Sequence, residues 1–197
     1  RYLSYYTLDV MAQYYTSFGN TYVSELRAFN YKQTDVETEF YNIWCKMYNN
    51  ISNVNNILEN LDNISASSLK YYPIYKGEAL ALRAFLHFDL LRLYGPSPAV
   101  GKEHKAIPYM EEFTNIASRR LTVNQVLEKV AADLNKAREL MREVDSYGPN
   151  YADLEETYAQ DKRLKNRRFH LNYYAATALL ARVQLYAGNT TEALAAA

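Results

Sequence analysis

The stretch from Tyr75 to Gly95, YKGEALALRAFLHFDLLRLYG, constrains the fold of this chain more than any other part of the sequence. Between Ala79 and Tyr94 it contains no proline, glycine or β-branched residue, so no local preference opposes an α-helix. Apolar residues at spacings of three and four cover most of the helix circumference, and such a helix is normally buried between neighbours. Gly95 and the prolines after it end the helix. We therefore expect the central helix of an all-α domain.

Helical periodicity also accounts for most of the remaining chain. Residues 1–18, about 36–62, 123–144 and 171–187 carry apolar residues at helical spacing, and another helix starts after Gly188. Thr122 with Gln125 three residues later predicts a capping box at the start of the third of these helices. The longest pattern, about seven turns, is marked by Phe40, Trp44, Met47, Ile51, Val54, Leu58 and Leu61.

Four segments lack this periodicity: residues 19–35, 63–74, 95–120 and 145–169. The last two are the longest and lie far above about 12–15 residues, a length beyond which loops are uncommon in compact domains unless the segment is functional. Irregular segments held on a rigid helical frame often carry binding residues. We therefore expect a ligand to be bound by loops.

Charge and cysteine content exclude several classes of function. The 22 basic residues balance 22 acidic ones, so no overall field attracts nucleic acid or an anionic membrane. The basic run from Lys162 to Arg168 follows acidic residues, and a solvated loop or helix start is favoured over a phosphate contact. Cys45 is the only cysteine, so no internal disulfide is possible. The sequence contains no apolar run of the roughly 18 residues that a membrane span needs.

No catalytic or metal-binding pattern is present in the sequence. Phosphate-binding loops, nucleophile elbows and zinc motifs are absent, so we expect no catalytic residue, metal or cofactor. His87 and Asp89 lie two residues apart and would face different sides of a helix, which prevents a direct pair. Arg83 is expected to be a buried or rim cation, satisfied by a carboxylate or by carbonyl groups of a neighbouring element. Asn55 is expected to have a structural role.

Several motifs together resemble the SusD/RagB family of outer-membrane nutrient-binding lipoproteins. The central helix resembles the family pattern GEAxxLRA, followed by aromatic residues and a terminal YG, at Gly77–Ala79, Leu82–Ala84, Phe88, Leu90 and Tyr94–Gly95. Further matches stand at Trp44, Tyr48, Ile51, Asn55 and Leu58, at Asp133, Leu134 and Ala137, and along 171–187. Gly188 and Asn189, followed by Ala193 and Leu194, also resemble the turn of a tetratricopeptide repeat. The expected fold is an irregular helical bundle of divergent tetratricopeptide-like helix pairs with two long loops, one domain over 1–197.

The resemblance implies binding without catalysis. Family members capture oligosaccharides or peptides outside the cell and pass them to a TonB-dependent (SusC-like) transporter barrel in the outer membrane. The chain would then be the N-terminal, helix-rich part of a longer surface lipoprotein. It would be attached to the membrane only through a lipid anchor that this sequence lacks.

Two other functions remain open on the sequence. A tetratricopeptide-like adaptor that grips a peptide would explain residues 171–194 but not the long loops or the motifs around Trp44 and Gly77. An all-α enzyme, such as a glycoside hydrolase, would need a catalytic constellation that the sequence does not show.

Loop aromatics are the candidates for ligand contact. Sugar capture requires aromatic faces that stack on apolar sugar faces, beside amide and acid groups that bond hydroxyls. Phe29, Tyr31, Tyr147 and Tyr151 meet this requirement by their position in loops, and none of them lies in a motif that matches the family.

Overall fold

The structure is a computed structural model that describes residues 6–15, 19–116, 118–149 and 167–197. As expected, the described chain is all-α, with 3₁₀ turns at Ala66–Ser68 and Arg167–Phe169 and one isolated antiparallel bridge between Lys105 and Thr122. The helices are α1 (Leu8–Met11), α2 (Thr21–Arg27), α3 (Thr34–Asp62), α4 (Tyr72–Tyr94), α5 (Pro98–Gly101), α6 (Val123–Met141), α7 (Tyr173–Ala187) and α8 (Thr190–Ala196).

The chain divides into two compact units, residues 1–49 and residues 50–197. In the first unit, Val10, Val23, Leu26 and Val36 form a buried cluster, with Phe40 packed against it. Small cores of this kind are stabilised by the removal of apolar surface from water.

Two expectations for the first unit were wrong. Residues 19–35 were expected to be irregular, but Thr21–Arg27 is a helix whose N-terminus is capped by the side chain of Asn20. Residues 1–18 were interpreted as helix-compatible throughout, but in their described part α1 ends at Met11 and Gln13 has a φ of 66°, which no α-helix tolerates. Helix α2 was missed because a helix of two turns has too few residues to show a period, whereas in residues 1–18 a helical spacing of apolar residues extends past the point where the helix ends.

The central helix of the second unit is α4, as the sequence predicts. It begins at Tyr72, before the expected start at Tyr75, because Pro73 lies in the first turn, where a missing N–H costs nothing. The residue before it, Tyr71, has a left-handed φ of 66°. Among its buried side chains are Leu86, Phe88, Leu90 and Leu91. The connection predicted over 63–74 is therefore shorter than expected.

The remaining helices of the second unit pack in sequence order. Helix α4 packs on α6, α6 packs on α7, and α7 packs on α8. Thr122 and Gln125 form the predicted capping box of α6, which ends at Met141, slightly before the expected 144. Gly188, with a φ of 83°, ends α7 in the left-handed conformation that glycine adopts without strain and leads into α8. These are the tetratricopeptide-like helix pairs expected from the sequence.

Within the described residues, no helix is both long enough and apolar enough to cross a lipid bilayer.

Candidate functional site

Two of the four predicted ligand-contact residues lie side by side in the first unit. Phe29 and Tyr31 follow α2, and each leaves 49% of its surface exposed. Their ring centroids are 6.5 Å apart, with the ring planes inclined by 53°. The side-chain amide of Asn30, between them, donates a hydrogen bond of 2.7 Å to the Glu25 carboxylate. The pair therefore combines half-exposed aromatic rings with amide and carboxylate groups.

The core of the first unit holds this aromatic pair in place. The Tyr31 and Phe40 rings form a T-shaped contact with their centroids 5.3 Å apart, and Phe40 packs on the buried cluster of the first unit. Phe29 has a φ of 55°, a left-handed conformation that costs a bulky residue free energy. Strained residues of this kind are frequent at ligand sites, so the strain favours a functional role for the turn.

The other two candidates belong to a different part of the chain. Tyr147 belongs to the second unit and is half-buried, with its backbone N–H donating to the Asp145 carboxylate. Tyr151 lies outside the described residues.

In the second unit, a buried ion pair joins α4 to α6. The Arg83 guanidinium donates from Nε and Nη2 to the two oxygens of Asp133, at 2.7 Å each. Tyr109 donates from its hydroxyl to the same carboxylate at 2.6 Å. Burial opposes the charge of Arg83, but the bonds to Asp133 outweigh it and raise the pKa of Arg83 above its ordinary value. Burial raises the pKa of Tyr109 well above its usual range.

The same arginine ties α3 to the loop before α6. Its Nη1 donates to the side-chain oxygen of Asn55 and to the carbonyl of Glu111. Asn55, which is 1% exposed, donates hydrogen bonds from its side-chain Nδ2 to the carbonyls of Met110 and Glu112. The expected structural roles of Arg83 and Asn55 are thus confirmed.

An open cleft of about 430 Å³ lies beside this network and shares Asn55 and Arg83 with it. Buried Asn55, Leu58, Leu80 and Arg83 line its inner side, and the Phe113 ring, 51% exposed, lies at its edge. The other lining residues are charged or polar: Glu59, Asp62, Asn63, Lys76, Glu111 and Glu112. The sequence analysis missed this cleft because its walls come from α3, α4 and a loop that are distant in the chain.

The interpretation of the basic run as solvated was wrong for one of its residues. Arg167 is buried, and its guanidinium contacts Asp145 at 2.8 Å and Glu78 at 2.6 Å. His170 contacts the other oxygen of Glu78 through Nδ1 at 2.9 Å. The run's residues before Arg167 lie outside the described part of the chain.

Metal ligands are not grouped in the part of the chain that the structure describes. No three His, Cys, Asp or Glu side chains there lie close enough together to hold a metal ion.

Comparison with known proteins identifies the family. The family model for SusD-like proteins, described as starch-binding and associating with the outer membrane, matches residues 2–152. The chain therefore belongs to the SusD-like family, whose members are binding proteins. No curated protein sequence matches the chain.

Solved structures agree with this assignment. A SusD superfamily protein from Bacteroides thetaiotaomicron VPI-5482 is 28% identical with a TM-score of 0.61, over 78% of this chain and 30% of that one. A provisionally assigned sugar-binding protein from Bacteroides vulgatus ATCC 8482 is 29% identical with a TM-score of 0.60, over 78% and 31%. A laminarin-binding SusD-like protein, 20% identical with a TM-score of 0.54 over 78% and 28%, shares the fold. The chain thus spans about a third of the length of these proteins.

Proposed function

We propose that this chain is part of a non-catalytic glycan-binding protein of the outer-membrane surface. Membership of the SusD-like family, described as starch-binding, supports the class of ligand. The observation that carries the proposal for this chain is the half-exposed Phe29–Tyr31 pair, anchored through Phe40 to the core of the first unit. Rings held rigidly before binding lose little conformational freedom when a sugar stacks on them.

The binding mode follows from the chemistry of the pair. The apolar faces of sugar rings stack on aromatic faces, while amide and carboxylate groups bond the hydroxyls. Asn30 and Glu25 supply such groups beside the rings. Tyr147 and Tyr151 remain candidates for a sugar contact in their own part of the chain.

The test is calorimetric titration of the intact protein with a panel of soluble glycans, including starch and laminarin oligosaccharides. Phe29→Ala and Tyr31→Ala should each weaken binding by about tenfold, as is typical for loss of an aromatic anchor. Tyr31→Phe should bind nearly as well as the parent if the ring face makes the contact. Tyr14→Ala removes a 78% exposed ring of the same unit that is not a ligand candidate, and should change nothing.

Other outcomes would reject the proposal. Saturable binding of a peptide, with no glycan bound, would favour a tetratricopeptide-like adaptor instead. A shortened glycan after incubation would show turnover and end the non-catalytic interpretation.

We further propose that the complete protein is a surface lipoprotein that delivers its ligand to a TonB-dependent (SusC-like) transporter. The family's association with the outer membrane supports this location. Affinity purification of the tagged protein from solubilised outer membranes should recover a transporter barrel. Recovery of the protein without any barrel would contradict delivery and leave glycan capture standing.

A further inference from the structure

The cleft of the second unit has a rigid inner side and an open edge. The inner residues Arg83 and Asn55 are held by bonds to Asp133 and to three loop carbonyls, so their positions do not depend on a ligand. The Phe113 side chain, which also lines the cleft, is half-exposed. A volume of about 430 Å³ falls within the range of roughly 300–1,000 Å³ that is usual for small-molecule sites.

The charges around the cleft do not cancel. Lys76 pairs with Asp62, Arg83 pairs with Asp133, and Lys129, outside the cleft, pairs with Glu111. In the described parts of the chain, no ion pair involves Glu59 or Glu112, the two remaining carboxylates of the lining. The cleft therefore carries about two uncompensated negative charges.

These features select one class of ligand. Carboxylates and the Asn63 amide are hydrogen-bond partners for hydroxyl groups, and an exposed phenyl ring suits the apolar face of a sugar. The same carboxylates repel an anion, and this repulsion is stronger beside protein than in bulk water. We propose that the cleft is a second sugar subsite, which takes one uncharged sugar unit and rejects uronate or sulfated units.

This subsite is independent of the one proposed above. It uses residues of the second unit only, whereas Phe29 and Tyr31 belong to the first. Loss of the aromatic pair would leave the cleft intact, so the two proposals can fail separately.

The experiment compares two probes of nearly equal shape, methyl β-glucoside and methyl β-glucuronide, which differ in one carboxylate. Titration of the intact protein is followed by NMR chemical shifts at low ionic strength, since salt screens exposed charges. The glucoside should shift resonances of cleft residues and bind at least about tenfold more tightly than the glucuronide. Phe113→Ala should weaken glucoside binding by about tenfold.

Charge variants show whether the glucuronide is excluded by electrostatic repulsion or by its shape. The double substitution Glu59→Gln with Glu112→Gln keeps the shape of the cleft and should bring the affinity for the glucuronide to within about threefold of that for the glucoside. Glu139→Gln and Phe169→Ala, exposed residues of the same unit outside the cleft, are the matched controls and should change neither affinity.

Several results would overturn the proposal. Equal affinities for the two probes in the parent protein, or failure of both to shift cleft residues, would reject the subsite. If the double substitution Phe29→Ala with Tyr31→Ala abolished the glucoside shifts, the cleft would not be a separate site. The chemical-shift dispersion of each variant shows in the same experiment whether it is folded.

Discussion

At the scale of single residues, His87 shows how packing decides a charge state. The ring is fully buried and stacks on Tyr109 at 3.8 Å. Nε2 lies 3.0 Å from the backbone N–H of Met110, which can only donate, so Nε2 accepts and carries no proton. Nδ1 then donates to the Arg83 carbonyl at 2.9 Å. His87 is therefore a neutral core residue, and the family motif around it is structural at this position.

The environment of His87 predicts a pH dependence of stability. Burial, and to a lesser degree the charge of Arg83, lower the pKa of His87 from 6.5 to about 3. Between these two values the unfolded chain binds a proton that the folded chain does not, so the free energy of unfolding falls as the pH falls below about 6.5. From pH 7 to pH 5 we expect a loss of about 2 kcal/mol from this residue.

Denaturant unfolding at several pH values measures this loss. The variant His87→Gln has no titrating ring and should be less stable than the parent at pH 7 but lose less stability between pH 7 and pH 5. Carboxylates titrate mainly below this interval, so their contribution is small in both proteins. Parallel pH profiles for the parent and the variant would refute the buried neutral assignment.

At the scale of elements, α4 and α6 lie in close contact at Gly77. A Cβ atom built on Gly77 would lie 2.6 Å from Cγ of Met141 and 3.1 Å from the Ala137 carbonyl oxygen. Real Cβ atoms essentially never come within 3.0 Å of another heavy atom, so Met141 would have to move. The glycine of the GEA motif is thus explained by the packing of two helices.

This approach predicts that Gly77→Ala destabilises the protein. In an isolated helix the change would stabilise by about 1 kcal/mol, because alanine has the higher helix propensity. Here overpacking, typically about 1–3 kcal/mol, should outweigh that gain and lower the free energy of unfolding. Thermal and denaturant unfolding measure the sign.

A control on α6 isolates the propensity effect. Ala132 is exposed in the middle of α6, and Ala132→Gly should cost about 1 kcal/mol. If Gly77→Ala were instead stabilising by a similar amount, the close contact between α4 and α6 would be disproved.

At the scale of the whole second unit, Arg167 joins segments that are far apart in sequence. It is 2% exposed and bonds Glu78 of α4 and Asp145, which follows α6. Asp145 also accepts from the backbone N–H of Tyr173, at the start of α7. One buried cation therefore connects α4, the end of α6 and the start of α7.

This buried cation predicts that Arg167→Met lowers the free energy of unfolding strongly and that Arg168→Met lowers it little. Removal of the cation leaves the fully buried carboxylate of Asp145 without its partner, which typically costs about 3–5 kcal/mol. Arg168→Met alters an exposed residue whose guanidinium lies over the adjacent Phe169 ring, and should change stability by less than about 0.5 kcal/mol. Denaturant unfolding compares the two, and equal effects would contradict the buried cluster.

The long helices could be predicted because their signals are local. Helices α3, α4, α6 and α7 each contain enough residues for apolar side chains to repeat at helical spacing, and the capping box of α6 lies within four residues. Helix α2 was missed because its seven residues show no period. The motifs of α4 also identified the family. Their residues, such as Gly77 and Arg83, make the contacts that pack α4 on α6.

The sequence by itself determined the all-α class, the positions of the long helices and the SusD-like family. Only the tertiary structure decided which charges are buried: Arg83 meets Asp133 across 50 residues, and Arg167 meets Glu78 across 89. It alone assembled the cleft from α3, α4 and the loop before α6. The reason is physical. Helix formation depends on neighbours three and four residues apart, whereas the pairing of buried charges and the shape of a cleft depend on which distant segments pack together.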